Sequence, residues 1–140
     1  MEQVFQRIQE MYPEFIFTEN AYKTASDKKK AYKDIGYDTI LKMFKHLHEV
    51  LTPFYRGEVT GISERQVFER LKSAYEINIS PETQKTLDQY GYERKVLIEN
   101  TIYQFTNHIK LRKDACRIYF RYIEGIIYIG HAGAHLDTAG

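Results

Sequence analysis

The chain has no tryptophan, one cysteine and three prolines, and its charges almost cancel. A lone thiol, Cys116, cannot close an internal disulfide, which excludes a disulfide-stapled scaffold. No stretch approaches the roughly 18 consecutive apolar residues of a membrane span. Even the apolar run from Ile123 to Ile129 is broken by Glu124 and Gly125. No cationic start followed by an apolar run and a small-residue cleavage site opens the chain, so the cytoplasm is the expected compartment. Twenty basic side chains against nineteen acidic ones leave no global field to draw the protein onto a polyanion. A nucleic-acid contact must therefore be a local patch.

What is present is length and tyrosine. A chain of 140 residues is the size of one domain, and folding should bury roughly two-thirds of the surface its unfolded form exposes. No internal repeat or linker marks a second domain. Twelve tyrosines and eight phenylalanines suit the rim of a core, and equally a surface on which bases stack.

Apolar periodicity predicts an α+β fold: a helical N-terminal half, residues 1–74, packed with a small antiparallel sheet formed by a strand-helix-helix-hairpin unit over 75–140. Val4, Phe5, Ile8 and Met11 recur at helical spacing before Pro13, and Phe15 to Phe17 reads as a brief extended piece. Asn20 to Lys33 reads as a solvated helix or loop, with Lys28, Lys29 and Lys30 on a solvated face between Asp27 and Asp34. Tyr37, Ile40, Leu41, Phe44, Leu47, Leu51 and Phe54 form one long apolar stripe. His48 borders that stripe and His46 points away, and both read as structural. Ser63 and Gln66 form a capping-box signature that opens the next helix. Tyr75, Ile77 and Ile79 alternate as a strand does. Ser80-Pro81 reads as the start of a helix running to about Tyr90, and Leu97, Ile98, Ile102, Phe105 and Ile109 fit a further helix, although Tyr103 and Phe105 also alternate.

The final segment carries the functional expectation. Cys116 to Ile123 and Ile126 to His131 are β-rich runs separated by Glu124-Gly125, so they should pair as a hairpin with Ile123 opposite Ile126 and Phe120 opposite Ile129. In that register Ile118, Phe120, Tyr122, Ile127 and Ile129 share a core face. Arg117, Tyr119, Arg121 and Tyr128 share the other, where arginines can pair phosphates and tyrosines can stack bases. The plainer alternative is that these are ordinary cross-strand neighbours on a solvated face.

Beyond the hairpin, Gly130-His131-Ala132-Gly133-Ala134-His135 offers small residues for close approach of a ligand and two imidazoles that exchange protons near neutral pH. Beside Arg117 and Arg121, the pair His131 and His135 is chemically sufficient to cut RNA without a metal or other cofactor: a base, an acid and a cation for the phosphorane. The same i, i+4 histidines, joined by His108, Cys116 or Asp137, also raise a metal site, against which the intervening glycine argues. Cys116 has no activating neighbour in sequence, so it is not expected to be a nucleophile.

The order from Tyr75 onward, with Tyr75-Glu76-Ile77-Asn78-Ile79-Ser80-Pro81 followed by two helices and antiparallel strands, resembles the RelE/ParE-like bacterial toxins over the last half of the chain. That resemblance implies a compact fold, an antitoxin partner and, in the RelE branch, metal-independent cleavage of messenger RNA. Arg117 and Arg121 would stand for the family's strand arginines, and His131 and His135 for its late acid/base groups. The ending Arg117-Ile118-Tyr119-Phe120 with Ile129-Gly130-His131-Ala132-Gly133-Ala134-His135-Leu136 also resembles uncharacterised bacterial proteins, suggesting a bacterial or phage-related origin.

The resulting expectation is an RNA-directed endoribonuclease. His131, His135 and Arg117 would be catalytic, while Arg121, Tyr119, Tyr128 and Lys110 would bind nucleic acid. The alternatives are a non-catalytic nucleic-acid-binding module on the same face, or a protein-interaction role for the Tyr37–Tyr55 helix or the hairpin edge.

Overall fold

A computed structural model of the chain describes residues 1–26, 35–111 and 116–139. The lysine run Lys28 to Lys30 lies outside the described residues.

The N-terminal half is helical for the reason its apolar spacing gives. Helix α1 (Glu2–Met11) buries Val4, Phe5 and Ile8. Strand β1 (Phe15–Phe17) buries its two phenylalanines and turns Ile16 outward. Helix α2 (Glu19–Ala25) starts at Thr18, whose hydroxyl accepts from the Ala21 N–H at 3.1 Å. The long stripe forms α3 (Tyr37–His46), a π-helical segment (Leu47–Leu51) and α4 (Thr52–Tyr55) in succession. Pro53 lacks an N–H and crowds the carbonyl one turn back, and a widened turn just before it relieves both problems. Helix α5 (Glu64–Tyr75) carries the expected capping box, with Ser63 and Gln66 each bonded to the other's backbone N–H.

The C-terminal half is richer in strands than its spacing suggests. After β2 (Asn78–Pro81), α6 (Gln84–Tyr90) and a 3₁₀ turn (Gly91–Arg94) come five strands: β3 (Lys95–Ile98), β4 (Thr101–Gln104), β5 (Asn107–Leu111), β6 (Cys116–Ile123) and β7 (Ile126–Gly133). One sheet has the order β1-β7-β6-β5-β2 and a second pairs β3 with β4. The fold is α+β and ends in the expected hairpin. The main sheet is mixed, because β1 runs parallel to β7.

Three local expectations are corrected. The helix expected over Leu97 to Ile109 is instead β3, β4 and the start of β5. Val96 and Phe105 are buried while Leu97 and Ile102, paired across the strands, face solvent, so burial follows a period of two. The sequence Ser80-Pro81 ends β2, an edge strand that tolerates proline, and α6 starts instead from Thr83, whose hydroxyl accepts from the Thr86 N–H at 3.2 Å. Tyr75 closes α5. Glu76 at φ 58° breaks the helix in the left-handed region, and the strand begins at Asn78.

The hairpin register is as read from the sequence: Ile123 opposite Ile126, Tyr122 opposite Ile127, Arg121 opposite Tyr128 and Phe120 opposite Ile129. Glu124 at φ 46° and Gly125 at φ 91° supply the two left-handed residues of a type I′ turn. Past that point the register slips, because Tyr119 pairs with His131 and Gly130 becomes an extra residue. The bulge moves His131 onto the Tyr119 side and returns Ala132 to the core side, opposite Ile118. The main core, which includes Phe5, Phe15, Phe17, Phe44, Ile118, Phe120 and Ile129, lies between the helices and one sheet face. A smaller cluster of Val96, Phe105 and Tyr119 covers part of the other face. Among the described residues, no helix is long and apolar enough to cross a membrane.

Candidate active site

Cross-strand pairing gathers the polar residues. Ser80, His108, Tyr119 and His131 form one row across β2, β5, β6 and β7, and Asn78, Lys110, Arg117 and Gly133 form the next. Their chain neighbours Ile79, Ile109 and Ile118 are buried in the core, so strand alternation alone puts these polar groups on the opposite face.

A buried ion pair packs against this face. The Arg94 side chain is fully buried, and its Nη2 and Nε lie 2.6 and 2.8 Å from Glu82 Oε2. Arg94 also donates to the Tyr90 carbonyl at 3.1 Å and the Asp137 carbonyl at 2.6 Å. The Tyr119 hydroxyl donates to the same Glu82 oxygen at 3.2 Å, and burial pushes that phenol up to about 12. The other Glu82 oxygen lies 3.2 Å from His108 Nδ1. Nδ1 is buried and its geometry there does not make a hydrogen bond. Burial, chiefly, and then Lys110 and Arg117 outweigh the pull of Glu82 and lower His108 to about 4, so the ring is neutral near pH 7.

The C-terminal tail forms one wall. Besides the Arg94 bond to Asp137, Asp137 N–H donates to Glu93 at 3.2 Å and Ala139 N–H to the Thr86 hydroxyl at 3.1 Å. These bonds hold His135 beside a cavity of about 380 Å³ whose lining includes Glu82, His108, Lys110, Arg117, Tyr119 and His135. Glu82 is the acidic side chain among the described lining residues, and Arg94 offsets it. Lys110 and Arg117 are the cationic side chains among the described lining residues.

The expected site residues divide between different surroundings. His135, Arg117, Lys110 and Tyr119 meet at this cavity. His131 is not among the described lining residues but packs edge-on to Tyr119 at 5.6 Å, and its Nε2–H donates to the Ala134 carbonyl at 2.8 Å. Burial lowers its proton affinity. The expected open face of arginines and tyrosines is corrected: Arg117 and Tyr119 are buried and Tyr128 packs on the smaller cluster. Arg121 is exposed but turned to β4, donating to the Gln104 carbonyl at 2.8 Å with its guanidinium over Tyr103.

The room expected beside the tail glycines is also already filled. A Cβ on Gly130 would meet the Phe105 ring at 2.8 Å, and one on Gly133 would meet the Thr24 carbonyl oxygen at 2.5 Å. Both glycines serve close packing of the chain on itself. Among the described residues no three His, Cys, Asp or Glu side chains gather to hold a metal. Cys116 is buried in the main core.

Sequence reading missed Glu82, Arg94 and the position of His108. The available signal was the alternation of His108 and Lys110 with Ile109 and Leu111, a strand pattern masked by apolar residues that also fit helical spacing. A separate polar cluster lies elsewhere: buried Glu14 accepts from the Thr52 hydroxyl at 2.7 Å and meets His48, which stacks on Tyr12.

No family model, curated protein or solved structure matches this chain.

Proposed function

We propose that the protein is a nucleic-acid-directed, metal-independent endoribonuclease whose chemistry occurs in the Glu82–His135 cavity. The observation that carries this reading is the convergence of two cations and two imidazoles, Lys110, Arg117, His108 and His135, in one cavity whose carboxylate is already paired with Arg94. Two cationic side chains beside two imidazoles suit an anion, and a phosphodiester is the anion whose cleavage uses all four groups. Lys110 and Arg117 hold the scissile phosphate. Neutral His108 takes the proton of the 2′-hydroxyl as that oxygen attacks phosphorus. His135, at the exposed rim, protonates the departing 5′-oxygen, giving a 2′,3′-cyclic phosphate and a free 5′-hydroxyl. His131, with its Nε2–H bonded to a carbonyl, belongs to the support of Tyr119.

The burial of His108 against Glu82 favours a second reading, a non-catalytic pocket that binds the RNA phosphate. Labelled single-stranded RNA, incubated in EDTA with the wild type, H108A and H135A, separates the two. Cleavage by the wild type that falls at least about 100-fold in each variant supports acid/base catalysis. Salt-sensitive retention without cleavage supports the binding pocket, and neither outcome removes both.

A further inference from the structure

A second cavity meets the first at Lys110, which lines both. It encloses about 460 Å³ between the end of α3, the end of α5 and β5, and its lining includes Lys42, His46, Tyr75, Glu76 and Lys110. The His46 and Tyr75 rings are stacked, with centroids 3.7 Å apart and planes 13° from parallel. His46 covers one face of the tyrosine, yet Tyr75 remains 40% exposed at the end of its helix. His46 Nδ1 is buried and has no hydrogen-bond partner among the described residues, its nearest acid, Glu49, being 3.9 Å away. A buried polar atom of this kind ordinarily has a partner. Among the described lining residues of this second cavity, Glu76 stands beside two lysines, Lys42 and Lys110.

We infer that this cavity is a nucleoside subsite of the same RNA track, taking the base next to the phosphate held at Lys110 and Arg117 and stacking it on Tyr75. The inference rests on the endoribonuclease reading. A stacked aromatic pair with an open ring is extended by a base with little regard to its identity, and Lys110 marks where the phosphate backbone passes from one cavity to the other.

The test uses a short single-stranded RNA carrying 2′-O-methyl groups, which cannot be cleaved, and copies with one abasic residue stepped along it. Binding is read by fluorescence anisotropy. In the wild type, one abasic position should weaken binding roughly five- to tenfold. Tyr75→Ala should bind the intact strand as weakly as the wild type binds that abasic copy, while Tyr75→Phe keeps the difference. Inorganic phosphate should compete equally with the intact strand in the wild type and Tyr75→Ala, since the first cavity is untouched. Circular dichroism establishes that the variants are folded.

If no abasic position matters, or Tyr75→Ala retains the full discrimination, the subsite is wrong while RNA binding at the first cavity stands. If the wild type binds no RNA, both the subsite and the endoribonuclease reading fall.

Discussion

His108 and Tyr119 face each other directly across β5 and β6, their rings stacked with centroids 5.1 Å apart and both side chains within reach of Glu82. One buried carboxylate thus accepts from Tyr119 and lies beside His108, and a buried arginine holds that carboxylate. The geometry assigns unlike consequences to histidines that look equivalent in sequence.

Replacing His131 with Gln should lower stability while leaving RNA cleavage within a few-fold of wild type. His108→Ala and His135→Ala should each reduce single-turnover cleavage by about 100-fold or more, the scale of general acid–base contributions. Single-turnover rates at saturating enzyme, paired with thermal melts, separate the two classes. Equal loss of cleavage in folded His131→Gln would return that residue to the catalytic set.

Arg94→Met should cost roughly 3–5 kcal/mol, because it leaves Glu82 charged and buried without its main partner. Adding Glu82→Gln to Arg94→Met should recover much of that loss. Urea denaturation of the two single variants and the double variant gives the coupling.

Acidification should destabilise the protein in two stages. His108 and His131 both hold protons less tightly in the folded chain than the ordinary 6.5. The unfolded chain therefore binds more protons as pH falls below about 6.5, and stability declines toward pH 4. Glu14 contributes lower down. Burial raises its pKa, but the bonds from His48 and Thr52 outweigh burial and set it below its usual 4.5, so its contribution is present above that value and lost as pH falls through the folded pKa. Urea midpoints from pH 8 to 4 should fall less steeply in His131→Gln than in the wild type.

Gly133→Ala should cost about 1–3 kcal/mol, because the new methyl meets a backbone oxygen of α2 that cannot swing aside as a side-chain tip can. The measurement is again the urea midpoint. Thr24→Ala should not rescue it, because the obstructing atom belongs to the main chain.

The sequence made legible those features whose signal is local. The hairpin register followed from two β-rich runs and a two-residue turn, and the capping box from Ser63 and Gln66. The long stripe followed from its spacing, although Pro53 and the widened turn before it were not anticipated. Lys110, Arg117, Tyr119 and His135 stand out in the sequence by residue type and position. Their arrangement was not legible, because it depends on three non-local events. A bulge at Gly130 carries His131 to the Tyr119 side, the tail folds back onto Arg94 and Thr86, and the β3–β4 hairpin with Phe105 covers a face that looked open. The strand position of His108 stayed hidden because Ile102, Phe105 and Ile109 satisfy helical spacing as well as they satisfy a strand.

The parallel pairing of Phe15–Phe17 with Ile127–Ile129 carries a consequence for how the chain reaches this state. The strand formed by residues 126–133 lies inside the sheet, between one made near the start of the chain and one made just before it. During synthesis the early segment must wait, its strand edge unsatisfied, until more than a hundred further residues have emerged, as the sequence separation of 112 between Phe15 and Ile127 requires. Such a contact imposes a large loop-closure cost before it returns any stabilisation, which favours slow, late closure of the sheet. Until then Phe15 and Phe17 have no strand to lie against, and a chaperone that binds short aromatic segments would find them available.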